Sequence, residues 1–109
     1  TFELGAVSIE QREETVLSAL LSNTGTREGT EVVQVYAQDI GGVDRRLVAF
    51  TKVRLETGES AQVEMRIPRE RLRWWNPETE GWTPATGIVE FEIRGTFGRA
   101  AASTTLSGD

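Results

Sequence analysis

Two carboxylates facing one another across a cleft, about 5 to 10 Å apart, can cleave a glycosidic bond, so the acidic side chains are the first place to look for chemistry. There are seventeen in the 109 residues, and their spacing singles out no pair. Glu10, Glu13, Glu14, Glu56, Glu59, Glu78 and Glu80 fall in or near expected turns, and Glu64, Glu90 and Glu92 on the solvent faces of expected strands. That distribution describes a solvated surface. Histidine and cysteine are both absent, so a Ser-His-Asp arrangement cannot be assembled and neither disulfides nor a Cys-based zinc site can hold the fold. A Ser-Lys variant would have only Lys52 to use, and no SxxK spacing accompanies it. These residues predict a chain that is not an enzyme by itself, with no cofactor and no metal.

Three tryptophans offer a different chemistry. Trp74, Trp75 and Trp82 lie within nine positions around a turn, and an exposed indole can stack on the apolar face of a sugar ring while polar neighbours orient it. Adjacent Trp74 and Trp75 must point to opposite faces of an extended segment. Two readings follow: one indole fills the core and the other packs against a neighbouring domain or loop, or the exposed rings form a carbohydrate platform.

The glycine pair in Asp39-Ile40-Gly41-Gly42-Val43-Asp44-Arg45-Arg46 is not a phosphate cradle. A P-loop needs GxxxxGK[ST] opening a helix and a dinucleotide fingerprint needs GxGxxG followed by one; neither is here. Formal charge is −5 and no long basic run occurs, which removes the footprint of a nucleic-acid binder. No apolar run approaches the roughly eighteen residues of a membrane span, and no signal peptide pattern is present. Neither nucleic acid nor membrane is expected as a partner. The opening Thr1-Phe2-Glu3-Leu4, without methionine, reads as a processed product or a piece cut from a longer chain. Its compartment is not written in these residues.

The elements that would position these groups are strands. Leu17, Ala19 and Leu21 recur at every second position, and Val32-Val33-Gln34-Val35-Tyr36-Ala37 is dense in β-branched and aromatic residues on both faces; both segments should be central in their sheets. Between them, Asn23-Thr24-Gly25-Thr26-Arg27-Glu28-Gly29 is connection chemistry. Leu4, Val7 and Ile9 with Gly5 between them fit a bent edge strand. Val16 and Leu20 lie on the outer face of the second strand. Leu47, Phe50, Val53 and Leu55 share no single period, and a bulge near Ala49 to Thr51 would turn Phe50 and Val53 inward together. Ala61, Val63, Met65 and Ile67 alternate cleanly up to Pro68. Arg69 to Leu72 suits one helical turn, Arg73 to Asn76 a short strand, Val89, Phe91 and Ile93 a half-buried one, and Ala100 to Leu106 a last edge strand. Seven or eight strands, turn signals about every ten residues and no helical period predict one domain, an all-β antiparallel β-sandwich. The expected core is Leu17, Ala19, Leu21, Val33, Val35, Phe50, Val63, Met65, Val89, Phe91 and Ile93.

Laid out this way, the chain resembles, over nearly its whole length, the fibronectin type III-like domain at the carboxyl end of family 3 glycoside hydrolases, the β-glucosidase and β-xylosidase group. The pattern N-T-G-x-x-x-G-x-E-V-V-Q-x-Y is matched by Asn23-Thr24-Gly25, Gly29 and Glu31-Val32-Val33-Gln34-Val35-Tyr36, followed by Asp39. The pattern L-x-x-F-x-x-V-x-L-x-x-G-E is matched by Leu47, Phe50, Val53, Leu55, Gly58 and Glu59, and the closing strand by Gly87, Val89, Phe91, Ile93 and Gly95 in pattern only. Many members carry an Arg-Pro pair in the loop after the central strand, whereas Asp44-Arg45-Arg46 here runs almost directly into Leu47. The resemblance implies a noncatalytic accessory domain whose partners are the catalytic domains of the same polypeptide, with Asp39, Arg45 and Arg46 left to make the interdomain contact. The family's nucleophile and acid/base residue belong to other domains, so no position here inherits a catalytic role.

Overall fold

The computed structural model describes residues 1–40 and 43–106, with the backbone alone described at 39, 40, 43 and 44. Ten strands follow in order: β1 (Phe2–Leu4), β2 (Ser8–Gln11), β3 (Thr15–Asn23), β4 (Gly29–Ile40), β5 (Val43–Leu55), β6 (Ser60–Ile67), β7 (Arg73–Asn76), β8 (Gly81–Pro84), β9 (Gly87–Gly95) and β10 (Gly98–Leu106). A 3₁₀ turn at Arg69–Leu72 follows Pro68, whose missing N–H ends the β6 ladder. The count exceeds the expected seven or eight for two local reasons. The first segment is divided at Gly5–Val7 into β1 and β2, and the tryptophan segment folds into two short strands rather than one.

Both halves of that first segment pair antiparallel with β3, β1 against Leu21–Asn23 and β2 against Thr15–Ser18, and β6 pairs on the other side of β3. The Gly5 N–H still bonds the Leu20 carbonyl at 2.8 Å, so the bend interrupts the ladder without opening it. The second sheet runs β10-β9-β4-β5, all antiparallel, and β7-β8 stands apart as a hairpin. As expected, β3 and β4 are interior strands of their sheets; β9 is interior beside β4. The two inner faces meet in one core: Leu17, Leu21, Val63, Met65 and Ile67 from the first sheet against Val33, Val35, Ala37, Val48, Leu55, Val89, Phe91, Ile93 and Leu106 from the second, with Phe2 and Leu72 at its ends. Removing this apolar area from water, at roughly 25 cal/mol per Å², is the main term holding the sandwich together.

One core expectation is corrected. Phe50 is 67% exposed. The register of β4 with β5 shifts between Val35, opposite Ala49, and Tyr36, opposite Leu47, so the unmatched residue is Val48 rather than one in Ala49–Thr51. A residue inserted against one partner residue moves the alternation by one. Val48 is therefore fully buried beside a half-buried Ala49, Val53 and Leu55 keep their inward places, and Phe50 is turned to the outside.

Two of the three buried polar residues among the described residues fasten loops. Asn23, 1% exposed, donates through Nδ2 to the Arg27 carbonyl at 2.8 Å and the Leu55 carbonyl at 3.1 Å, while its Oδ1 accepts the Gly25 N–H at 3.0 Å. It ties the β3–β4 connection to the end of β5. Glu31, 1% exposed, accepts from the Thr96 N–H at 2.5 Å and the Thr96 hydroxyl at 2.6 Å, joining β4 to the β9–β10 turn. Nearby, Arg54 donates to Glu28 at 2.6 Å, and that bond with the guanidinium charge holds the Glu28 carboxyl below its ordinary value.

Candidate interaction surfaces

The tryptophan hairpin is built from two four-residue strands in the register Trp74 to Thr83 and Trp75 to Trp82. Its turn is fixed by the Asn76 side chain, which accepts the Glu78 N–H at 3.0 Å, and by Glu80, held at φ 50°. That is a left-handed conformation uncommon outside glycine, Asn and Asp. Alternation sends Trp74 inward, half-buried against the core, and Trp75 and Trp82 outward, 51% and 64% exposed. The two outer rings meet edge to face, with centroids 5.7 Å apart and planes at 76°. That geometry is the favoured one for an aromatic pair, but only one indole face at a time can lie flat against a ligand.

Arg45 and Arg46 of the β4–β5 hairpin make different contacts. Asp39 has its side chain outside the described residues. Arg45 reaches Glu92 at 3.4 Å and sits 4.8 Å over the Tyr36 ring, and Glu92 is shared with Arg94 at 3.3 Å and Arg99 at 3.9 Å. One half-buried carboxylate thus gathers three guanidinium groups on the outer face of the second sheet. Arg46 turns the other way, donating to the carbonyls of Arg71 and Arg73, and Arg71 returns a bond to the Val48 carbonyl at 3.1 Å. This reciprocal pair pins the 3₁₀ turn onto the bulge of β5. Among the described residues no three Asp or Glu side chains converge as a metal site would require.

What sequence reasoning missed is the outer face of β4 and β5, where Val32, Leu47 and Phe50 stand exposed. The signal was the broken period of Leu47, Phe50, Val53 and Leu55, which marks a bulge without saying on which side of it each residue falls. On the first sheet Leu20 is exposed, whereas Val16 is buried.

A fibronectin type III-like domain model matches residues 31–96. The chain is 33% identical over 93 residues to a probable β-glucosidase M of Aspergillus niger, a match covering 85% of this chain and 12% of that protein. It is 36% identical over 90 residues to a probable β-glucosidase E of Aspergillus fumigatus, covering 82% and 8%. Its fold superposes on the β-glucosidase DesR of Streptomyces venezuelae, solved with D-glucose, with TM-score 0.88 and 25% identity over 98% of this chain and 15% of that one. The chain therefore spans only about a tenth of the curated relatives it matches.

Proposed function

The chain belongs to the fibronectin type III-like domain family, the kind carried by family 3 β-glucosidases, and from that membership we propose that it is one noncatalytic accessory domain of such a hydrolase. In this reading it packs on the catalytic domains of the same polypeptide and supports their fold in carbohydrate metabolism. The observation that carries it is the proportion of the match: nearly all of this chain corresponds to a small part of much longer β-glucosidases. The residue types support the reading: the chain has no histidine or cysteine, and among the described residues the buried carboxylate, Glu31, is taken up by Thr96. Arg45, half satisfied by Glu92 and Tyr36, is the member of the Asp39, Arg45 and Arg46 set best placed to reach another domain. Arg46 would act indirectly, by holding the 3₁₀ turn.

The test is expression of the complete open reading frame that contains these residues, with and without them, followed by assay on aryl β-D-glucosides. Turnover by the full polypeptide, none by residues 1–109 alone, and a lowered inactivation temperature for the shortened form are expected. An open reading frame with no hydrolase joined to this segment would remove the proposal. A second reading, a carbohydrate-binding or adhesion module using Trp74, Trp75 or Trp82, is favoured by the exposure of Trp75 and Trp82. Stacking of a sugar on either ring must change its fluorescence, so an unchanged emission through millimolar oligosaccharide would leave that reading without support.

A further inference from the structure

Leu47 and Phe50 belong to the sequence block that carries the family resemblance, yet they are 48% and 67% exposed while Val53 and Leu55 of the same block turn inward. Folding of the sandwich does not account for them. The β4–β5 register sets Leu47 opposite Tyr36, Phe50 opposite Gln34 and Lys52 opposite Val32, itself 38% exposed. Directly opposed and diagonal neighbours on one face of an antiparallel pair are about 4.5 to 8 Å apart, so these side chains form a continuous strip. The strip also has a sign. On this face β5 carries Arg45, Lys52 and Arg54 and no carboxylate, in a chain whose net charge is −5. Arg54 is paired with Glu28 and Arg45 with Glu92. Lys52 has no ion-pair partner among the described residues.

We propose that the outer face of β4 and β5, centred on Phe50 with Leu47 and Val32 beside it, docks this domain on the body of its own longer polypeptide, against an apolar patch that presents a carboxylate to Lys52. An aromatic anchor flanked by aliphatic side chains, with charge at the rim, is the anatomy of an energetically focused interface. Charge selects the occupant. A second copy of the same face, related by two-fold symmetry, would bring no carboxylate of β5 to the unpaired Lys52 and would add a second unpaired lysine to the contact, whereas an acidic-rimmed surface complements it. The inference rests on the reading that the chain is a module of a larger enzyme, whose relatives carry the matched segment as 8 to 12% of their length.

Lys52 is the only lysine in these residues, which makes its acylation a reporter of the face. In the native full-length polypeptide, treatment with an N-hydroxysuccinimide ester and peptide mass spectrometry should find Lys52 slow. Phe50→Asp should raise its rate by about tenfold or more, the loss expected when an interface anchor is removed. Ile88→Asp, at a residue 76% exposed elsewhere on the second sheet, should leave the rate unchanged. Lys52 reacting in the unaltered polypeptide as fast as in a urea-unfolded sample would overturn the proposal, as would a slow Lys52 indifferent to Phe50→Asp. The comparison with the unfolded sample decides the matter even if the variant fails to fold. An active β-glucosidase with a reactive Lys52 sinks the docking face alone. A protected Lys52 released by Phe50→Asp, in a polypeptide without glucosidase activity, supports the face and sinks the enzymatic reading on which it was built.

Discussion

At the scale of single residues, the positions that resist change most are those where a loop has been closed around a polar group. A Cβ added at Gly95 would lie 2.2 Å from Glu31 Oε1 and 2.4 Å from the Phe97 ring, so the ring and the buried carboxylate must both give way, and the bonds that carboxylate accepts from Thr96 are disturbed. Gly95→Ala is expected to lower stability by about 2 to 4 kcal/mol in urea unfolding. Gly58 makes the contrast: its φ is 76° but nothing lies within 4 Å of the added carbon, so Gly58→Ala carries only the left-handed strain of about 1 kcal/mol. Asn23 provides a sharper test, because it donates to two carbonyls and accepts one N–H. Asn23→Ala strands those partners and should lose about 1 to 3 kcal/mol. Asn23→Asp still accepts from Gly25 but sets a buried carboxylate against two carbonyl oxygens, which raises that carboxyl's titration point in the folded state. The folded variant then binds more protons than the unfolded chain, so its stability falls as pH rises. Its deficit should be larger at pH 7 than at pH 4, and equal deficits at the two values would show that Asn23 is not the hub described. That Asn23 borders the β3–β4 connection was legible from its type; that it reaches Leu55 was not, since the bond spans sequence-distant elements.

At the scale of elements, alternation told nearly everything about the strands with one clean period. Leu17, Ala19, Leu21, Val63, Met65, Val89, Phe91 and Ile93 all face inward as their spacing requires. The short 3₁₀ turn was equally readable, from Pro68; of the tryptophan hairpin, the strand at Arg73–Asn76 and the turn residues Pro77 to Gly81 were readable, whereas the return strand at Gly81–Pro84 was not. Strand β5 was not, because a bulge adds one residue to the count and nothing local says where. Placing it at Val48 instead of two residues later exchanges an inward Phe50 for an inward Val48. The same shift hid the apolar outer face, the part of the candidate site that sequence reasoning did not find. The register has a direct energetic consequence. Phe91→Ala empties a site 1% exposed and should cost about 3 to 5 kcal/mol, whereas Phe50→Ala in the isolated sandwich should change stability by about 0.5 kcal/mol or less, as surface substitutions do. Comparable losses at the two positions in chemical denaturation would place the bulge where the sequence first suggested.

At the scale of the whole molecule, the sandwich class was legible because many short strands with regular turn signals have few other ways to bury their apolar faces. The docking partner was not, because the residues that would meet Phe50 are not part of this chain. The topology nevertheless makes a prediction of its own. Part of the ladder joins strands remote in sequence: β3 reaches β6, with Leu17 opposite Met65, and β4 reaches β9, with Val35 opposite Ile93. Loop closure must be met before such pairings return any energy, and all-β domains of this kind fold in about milliseconds to seconds. The β4–β5 and β9–β10 hairpins both close over a short separation, β4–β5 is the longer ladder of the two, and β4 is also the strand that β9 joins. The β4–β5 hairpin is therefore the natural nucleus. Val35→Ala, in the middle of β4, should slow folding more than it speeds unfolding. Leu106→Ala, at the end of the edge strand β10, should act chiefly on the unfolding limb, because its contacts form after the transition state. Stopped-flow denaturant series on the two variants separate these outcomes. An unfolding-limb effect for Val35→Ala would move the nucleus away from this hairpin, to the β3–β6 pair, the other long ladder that could organise the two sheets.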